Sequence, residues 1–115
     1  MSQRSTFTSE YIYCEQDYKA IRAEAERWGN HKLLCFSPPC KWDDNEMPII
    51  QGKIGEYSEY HEIYVLEDFL RAVRIKYPVT FILLLEGDGY FLLTKCPDGT
   101  IIRKKLIVSE EKRAD

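Results

Sequence analysis

Two cysteines enclose a double proline in the segment LLCFSPPCKWDDNEMP, the most distinctive stretch of the chain. Cys35 and Cys40 have four residues between them, which is the upper limit of the spacing within a zinc knuckle. A structural zinc needs four ligands, and the two prolines remove backbone N–H groups that commonly bond to ligand sulfurs. The other potential ligands are scattered singly: Cys14, His31, His61 and Cys96. We therefore rank a metal site at Cys35 and Cys40 below ordinary thiols.

These cysteines also raise the possibility of a nucleophile activated by a histidine. If His31 and Cys35 lie on one strand, their Cα atoms are roughly 13 Å apart, because each strand residue advances the chain by about 3.3 Å. That distance excludes a hydrogen bond between the two side chains. Cys40 could fold back towards His31, but no known signature of a cysteine enzyme surrounds it. A cysteine-dependent enzyme is thus an alternative, and we expect neither catalysis nor a cofactor.

The middle of the chain combines acids with aromatic residues. Residues 43–68 carry eight acids against a single lysine, a net charge of −7 in a chain whose total is −3, so the flanking segments sum to +4. Such asymmetry bears on association with partners. Aromatic side chains commonly anchor protein interfaces, and surrounding carboxylates steer a surface towards a basic partner.

The sequence therefore favours a non-enzymatic protein-binding module, such as an inhibitor, immunity or regulatory protein, that engages a basic partner surface. The irregular stretch that carries these residues should display side chains, because loops lie on the surface. The predicted partner-binding residues are Trp42, Asp43, Asp44, Glu46, Glu56, Tyr57, Glu59 and Tyr60.

A nucleic-acid-binding protein is the alternative that rests on the basic stretch IIRKKL. Arg103, Lys104 and Lys105 would offer phosphate contacts on a C-terminal edge strand. The overall pI near 5.4 opposes the electrostatic attraction that dominates such binding. We therefore predict no nucleic-acid partner.

The periodicity of apolar residues predicts two helices among several strands. The first helix covers Glu15 to Trp28 and ends at Gly29, and the second covers Glu67 to Tyr77 and ends at Pro78. Three C-terminal runs separated by glycine-containing turns predict an antiparallel meander. The predicted strands are Phe7 to Tyr13, His31 to Phe36, His61 to Leu66, Val79 to Leu85, Tyr90 to Lys95 and Thr100 to Val108.

These elements predict a single α+β domain over residues 1–115, with a mostly antiparallel sheet of four to six strands and both helices packed on it. We expect flexible ends at about 1–6 and 109–115 and an irregular acidic loop at about 37–56. Val79 to Leu85 is apolar on both faces, which places it in the centre of the sheet. Its second face is covered either by the protein itself or by a partner, and a homodimer is one option.

The longest apolar run, Phe81 to Leu85, is far shorter than the roughly 18 residues that a membrane span requires. The first residues also lack the apolar stretch of a secretory signal. We therefore predict a cytoplasmic protein that does not associate with membranes and whose four cysteines are reduced.

Overall fold

The computed structural model describes residues 5–29, 33–55, 59–85 and 89–106. In chain order its elements are β1 (Ser5–Ser9), α1 (Glu15–Arg27), β2 (Leu34–Phe36), β3 (Lys41–Trp42), β4 (Asn45–Glu46), β5 (Gln51–Ile54), α2 (Glu59–Arg71), β6 (Val79–Leu85), β7 (Gly89–Lys95) and β8 (Ile101–Leu106). Six strands form an antiparallel sheet in the order β2-β5-β1-β6-β7-β8, and β3 pairs with β4 in a separate hairpin. The predicted α+β class and the C-terminal meander are confirmed. Neither of the two described helices is long and apolar enough to cross a membrane.

One face of the sheet is buried beneath the two helices. Alternate residues of β6, from Val79 to Leu85, are buried, as expected for a strand whose side chains point to opposite faces. The ring of Phe69 in α2 is fully buried and lies 5.7 Å from the ring of Trp28 and 6.4 Å from that of Phe81, measured between centroids. Phe69 therefore joins both helices to the centre of the sheet.

The opposite face of the meander carries no helix among the described residues. It is nonetheless largely apolar, and we call it the open face: beside Thr80, Thr94 and Lys104 it carries Ile82, Leu84, Tyr90, Leu92, Ile102 and Leu106. Tyr90 and Ile102 are 39% and 53% exposed. The central position of β6 is thus confirmed, with the helices covering one of its two faces. Cover of the other face by a partner, with a homodimer as one option, stays a prediction.

The first strand is shorter at its C-terminal end than predicted. It ends at Ser9, where the Ser9 hydroxyl accepts a hydrogen bond from the Ile50 N–H at 2.9 Å. Its neighbours β5 and β6 begin only after Pro48 and Pro78, so the chain beyond Ser9 has no continuous strand to pair with. The stretch that follows leaves the sheet and exposes its tyrosines.

A single helix replaces the predicted strand at His61 to Leu66 and the helix at Glu67 to Tyr77. The prediction was wrong because the alternation of tyrosines in this region was taken as a strand pattern, whereas Ile63, Leu66 and Leu70 are buried at helical spacing. The helix ends at Arg71, six residues before the predicted end at Tyr77.

The segment 37–56 is more regular than predicted, because its described part contains β3, β4 and β5. The sequence of β5, Gln51–Ile54, has little apolar signal, but the strand lies between β2 and β1. Gly52 fits there because a Cβ at this position would come within 2.5 Å of both the Phe7 ring and the Cys35 carbonyl oxygen. Residues 5 and 6, predicted to be flexible, belong to β1, and Ser5 is buried.

Lys95, the last residue of β7, is a buried cation whose side chain lies at the C-terminal end of α2. Its Nζ donates a hydrogen bond to the Leu70 carbonyl oxygen at 2.7 Å, and the residue is 5% exposed. Burial lowers the pKa of Lys95 from its usual 10.5, and the nearby charge of Arg71 lowers this pKa further. The ammonium form is therefore less favourable in the folded chain than in the unfolded chain.

We predict that Lys95→Met removes a pH dependence of stability. Because the folded pKa lies below the unfolded one, the wild-type lysine destabilises the fold at neutral pH, and this penalty disappears as the pH rises towards 10.5. In the variant the Leu70 carbonyl oxygen still accepts a hydrogen bond from the Val73 N–H, at 3.2 Å in the wild-type structure. Urea unfolding at pH 7 and pH 10 should show wild type gaining stability relative to Lys95→Met. If the difference in unfolding free energy between wild type and Lys95→Met is the same at both pH values, this account is contradicted.

Candidate functional site

The hairpin β3–β4 displays four of the predicted partner-binding residues. Lys41 pairs with Glu46 and Trp42 with Asn45, and the two-residue turn between them consists of Asp43 and Asp44. Both aspartates have positive φ angles, 53° and 66°, as a type I′ turn requires, and aspartate tolerates this conformation better than most residues. Trp42 is 71% exposed, so the hairpin holds a large aromatic side chain out in solvent beside carboxylates.

Arg22 of α1 clamps the two ends of the segment that carries this hairpin. Its guanidinium donates hydrogen bonds to the Ser37 carbonyl oxygen at 3.3 Å and to the Ile49 carbonyl oxygen at 3.4 Å. Within the segment, the Met47 N–H donates to the Cys40 carbonyl oxygen at 2.7 Å. These bonds tie the two ends of the segment to α1 and to each other, and so restrict the base from which the hairpin extends.

A tyrosine of α1 provides the second link to the hairpin. The Tyr18 hydroxyl donates a hydrogen bond to Glu46, and the Arg22 guanidinium lies 5.8 Å from the centre of the Tyr18 ring. Burial raises the pKa of Tyr18, and the hydrogen bond to the Glu46 carboxylate raises this pKa further. Tyr18 therefore stays protonated and keeps its donor on Glu46 across the physiological pH range.

We predict that Arg22→Lys loosens the hairpin while leaving the sheet intact. A single ammonium lacks the planar fork with which a guanidinium reaches two separate carbonyls. The loss of one such bond, about 1.5 kcal/mol, should accelerate hydrogen exchange of the Met47 amide about tenfold. Exchange of the β6 amides is the internal control. Equal acceleration of both sets would mean that Arg22 supports the whole fold and not the hairpin in particular.

Beside the hairpin lies a tyrosine ridge, which we define as Tyr11 and Tyr13. The two rings have their centroids 4.7 Å apart, and they are 48% and 89% exposed. A groove of about 420 Å³ lies on one side of the ridge. Its lining includes Glu46, which belongs to the hairpin, together with Tyr18, Lys19 and Pro48. The groove therefore joins the tyrosine ridge to the hairpin at Glu46, and its charged lining consists of Glu15, Lys19 and Glu46.

A second groove, of about 410 Å³, lies on the other side of the ridge. Its far wall carries Tyr77, which is 63% exposed. Sequence reasoning missed these three tyrosines because it assigned Tyr11 and Tyr13 to a strand and Tyr77 to a helix. The signal that could have found them is the position of Pro48 and Pro78, which delay the strands on either side of β1.

The structure places only part of the predicted site. Trp42, Asp43, Asp44 and Glu46 lie together on the hairpin and are exposed. The side chains of the other four predicted residues lie outside what the structure describes: Glu56 and Tyr57 fall between the described ranges, and Glu59 and Tyr60 are described in backbone only, at the start of α2.

The basic residues of β8 do not form one stripe. Arg103 points to the helix side, where its guanidinium contacts the buried Glu67 carboxylate at 2.8 Å and lies 5.2 Å from the Tyr64 ring centre. Lys105, on the same side, has its Nζ 5.6 Å from the centre of the Phe91 ring. Lys104 is paired with Leu92 and points to the opposite, open face. Alternation along the strand thus separates the three charges of the nucleic-acid alternative.

The four cysteines are free thiols. Cys35 is exposed on the edge strand β2, and Cys40 is half-buried at the base of the hairpin. Among the side chains that the structure describes, which leave out those of residues 59–62, no group of three or more from histidine, cysteine, aspartate or glutamate is arranged to hold a metal ion. The expectation that the protein uses no metal or cofactor stays a prediction.

Comparison with known proteins finds no matching family, no similar characterised protein and no similar solved structure. The functional argument therefore rests on the surface formed by the hairpin and the tyrosine ridge.

Proposed function

We propose that this protein is a non-enzymatic binding module, of the inhibitor, immunity or regulatory kind, whose hairpin β3–β4 engages a basic surface of a protein partner. The observation that carries the proposal is the exposure of Trp42, at 71%, on a hairpin whose base is clamped by Arg22. A tryptophan side chain has only two rotatable χ angles, so it offers a large contact area for a small loss of conformational entropy on binding. The cytoplasm is the proposed location, where free thiols persist.

The charges around Trp42 support a basic partner. Asp43, Asp44 and Glu46 lie on the same hairpin as the tryptophan, and all three are exposed. Complementary charges raise the rate at which partners meet, and they discourage association with acidic surfaces. The hairpin also carries Lys41, which is paired across the strands with Glu46. The tip of the hairpin is therefore its acidic part.

The partner itself can be identified by differential capture. Wild-type protein, Trp42→Ala and Tyr90→Ala would each be immobilised and exposed to a lysate of the native host, and the retained proteins would be compared. Tyr90 is the matched control because it is an exposed aromatic residue on the open face, away from the hairpin. The proposal expects a basic protein that wild type and Tyr90→Ala retain and Trp42→Ala does not. Identical sets on all three surfaces would contradict it.

We predict that removing the turn charges slows association with that partner. The substitutions should be Asp43→Asn and Asp44→Asn together, because asparagine keeps the tolerance for positive φ that lysine lacks. Loss of steering should lower the association rate about tenfold at low salt, with a smaller effect near 0.5 M salt. Surface plasmon resonance at both salt concentrations measures this. An association rate that matches wild type at low salt would contradict a role for the acids.

A further inference from the structure

The groove between the tyrosine ridge and Tyr77 has a composition suited to a cation. Three exposed aromatic rings, those of Tyr11, Tyr13 and Tyr77, lie around a volume of about 410 Å³. The negative faces of aromatic rings attract a cation placed over them, and tyrosine is among the side chains that serve this purpose best. The volume lies within the range of specific ligand sites, about 300 to 1,000 Å³.

The ionisable lining of this groove is acidic. Its acidic residues are Glu10, which is exposed, and Asp17, and none of the lining residues is a lysine, arginine or histidine. The remaining lining is largely apolar and includes Ile12, Pro78 and Val79. A cation in the groove thus meets three aromatic rings, apolar side chains and two carboxylates, the exposed one of Glu10 and the buried one of Asp17, without a competing positive charge from the lining residues.

A buried carboxylate fixes the far wall of the groove. Asp17 of α1 is 2% exposed and accepts hydrogen bonds from the Lys76 N–H at 2.8 Å and from the Tyr77 N–H at 3.0 Å. Pro78 follows directly and restricts the backbone of Tyr77. The ring of Tyr77 is therefore carried on backbone that is held in place, which favours a preformed site.

From these observations we propose that the groove binds an arginine side chain of the partner, with the guanidinium stacked against the tyrosine rings and its charge facing Glu10. Arginine fits better than lysine because its guanidinium is planar and stacks on aromatic faces. This inference rests on the proposed function, since it takes the arginine to belong to the same basic partner surface that the hairpin engages. It adds a second anchor point on the far side of the ridge.

The test uses a blocked Gly-Arg-Gly peptide as the probe and the same peptide with citrulline, the uncharged isostere of arginine, as its control. Titration of the full chain is followed by NMR on the tyrosine ring protons. The arginine peptide should shift the resonances of Tyr11, Tyr13 and Tyr77 saturably, and the citrulline peptide should bind at least about fivefold more weakly. Equal binding of the two peptides, or no saturable shift at millimolar peptide, would overturn the proposal.

Variants separate the aromatic face from simple apolar contact. Tyr13→Phe keeps the ring and should bind the arginine peptide as wild type does, whereas Tyr13→Leu should lose at least about fivefold in affinity. Tyr13 is 89% exposed, so neither change should disturb folding. Tyr90→Leu on the open face is the matched control and should bind as wild type. Loss of binding in Tyr90→Leu, or retention in Tyr13→Leu, would overturn the assignment of the groove.

Failure of this inference can be distinguished from failure of the proposed function. If capture of the partner depends on Trp42 but is unchanged in Tyr13→Leu, the hairpin function stands and the arginine groove is refuted. If the peptide binds the groove but capture does not depend on Trp42, the groove stands and the hairpin function is refuted.

Discussion

Replacing Phe69 by alanine should lower the free energy of unfolding by about 3 to 5 kcal/mol. The Phe69 ring is fully buried and contacts rings from α1, from β2 and from the centre of the sheet. Truncation removes that burial and leaves a cavity that the surrounding close-packed residues fill only in part by relaxing. Chemical denaturation monitored by circular dichroism measures the change.

Phe69→Leu is the matched control, because it keeps most of the apolar volume and should cost less than the alanine variant. An alanine variant within about 1 kcal/mol of wild type would place Phe69 outside the core and contradict the packing described above.

Replacing Trp42 by alanine should weaken binding to the partner by about 30-fold or more, the loss of roughly 2 kcal/mol that is typical of an interface hot spot. The same substitution should change the stability of the isolated protein by less than about 1 kcal/mol, because the side chain is 71% exposed before binding. Isothermal titration calorimetry gives the affinity and urea unfolding gives the stability.

Trp42→Phe retains an aromatic anchor and should recover part of the affinity, which distinguishes contact by the ring from a disturbance of the hairpin. The outcome that contradicts this prediction is a loss of several kcal/mol in stability with little change in affinity. In that case the tryptophan would be packing against the protein itself.

Much of the fold was predictable where local signals agree. The meander β6–β7–β8 was predicted because each apolar run is bounded by turn residues, and α1 because its apolar stripe ends at Gly29. The strand β5 was not predicted, since Gln51–Ile54 offers a single strongly apolar residue and becomes a strand by pairing with β1 and β2. Such pairing joins segments that are distant in sequence, which a local pattern does not encode.

The candidate site also has a part that the sequence predicts and a part that it does not. The aromatic and acidic composition around Trp42 predicted a binding surface, and the turn at Asp43 and Asp44 accounts for its shape. The tyrosine ridge was not predicted, because its exposure depends on where neighbouring strands begin. The hydrogen bonds of Arg22 were not predictable from the sequence either, since they join α1 to carbonyl groups that lie 15 and 27 residues further along the chain.

The most direct test of the central claim is the fluorescence of Trp42 when the captured partner binds. Trp28→Phe leaves Trp42 as the sole tryptophan, because the chain has only two. In the free protein its emission should be that of a solvated indole, as its 71% exposure requires. The partner is labelled so that its own tryptophans do not fluoresce. Its addition should shift the Trp42 emission to the blue as the indole ring becomes buried. Emission that stays unchanged at saturating partner would show that Trp42 remains in solvent and would contradict the proposed function.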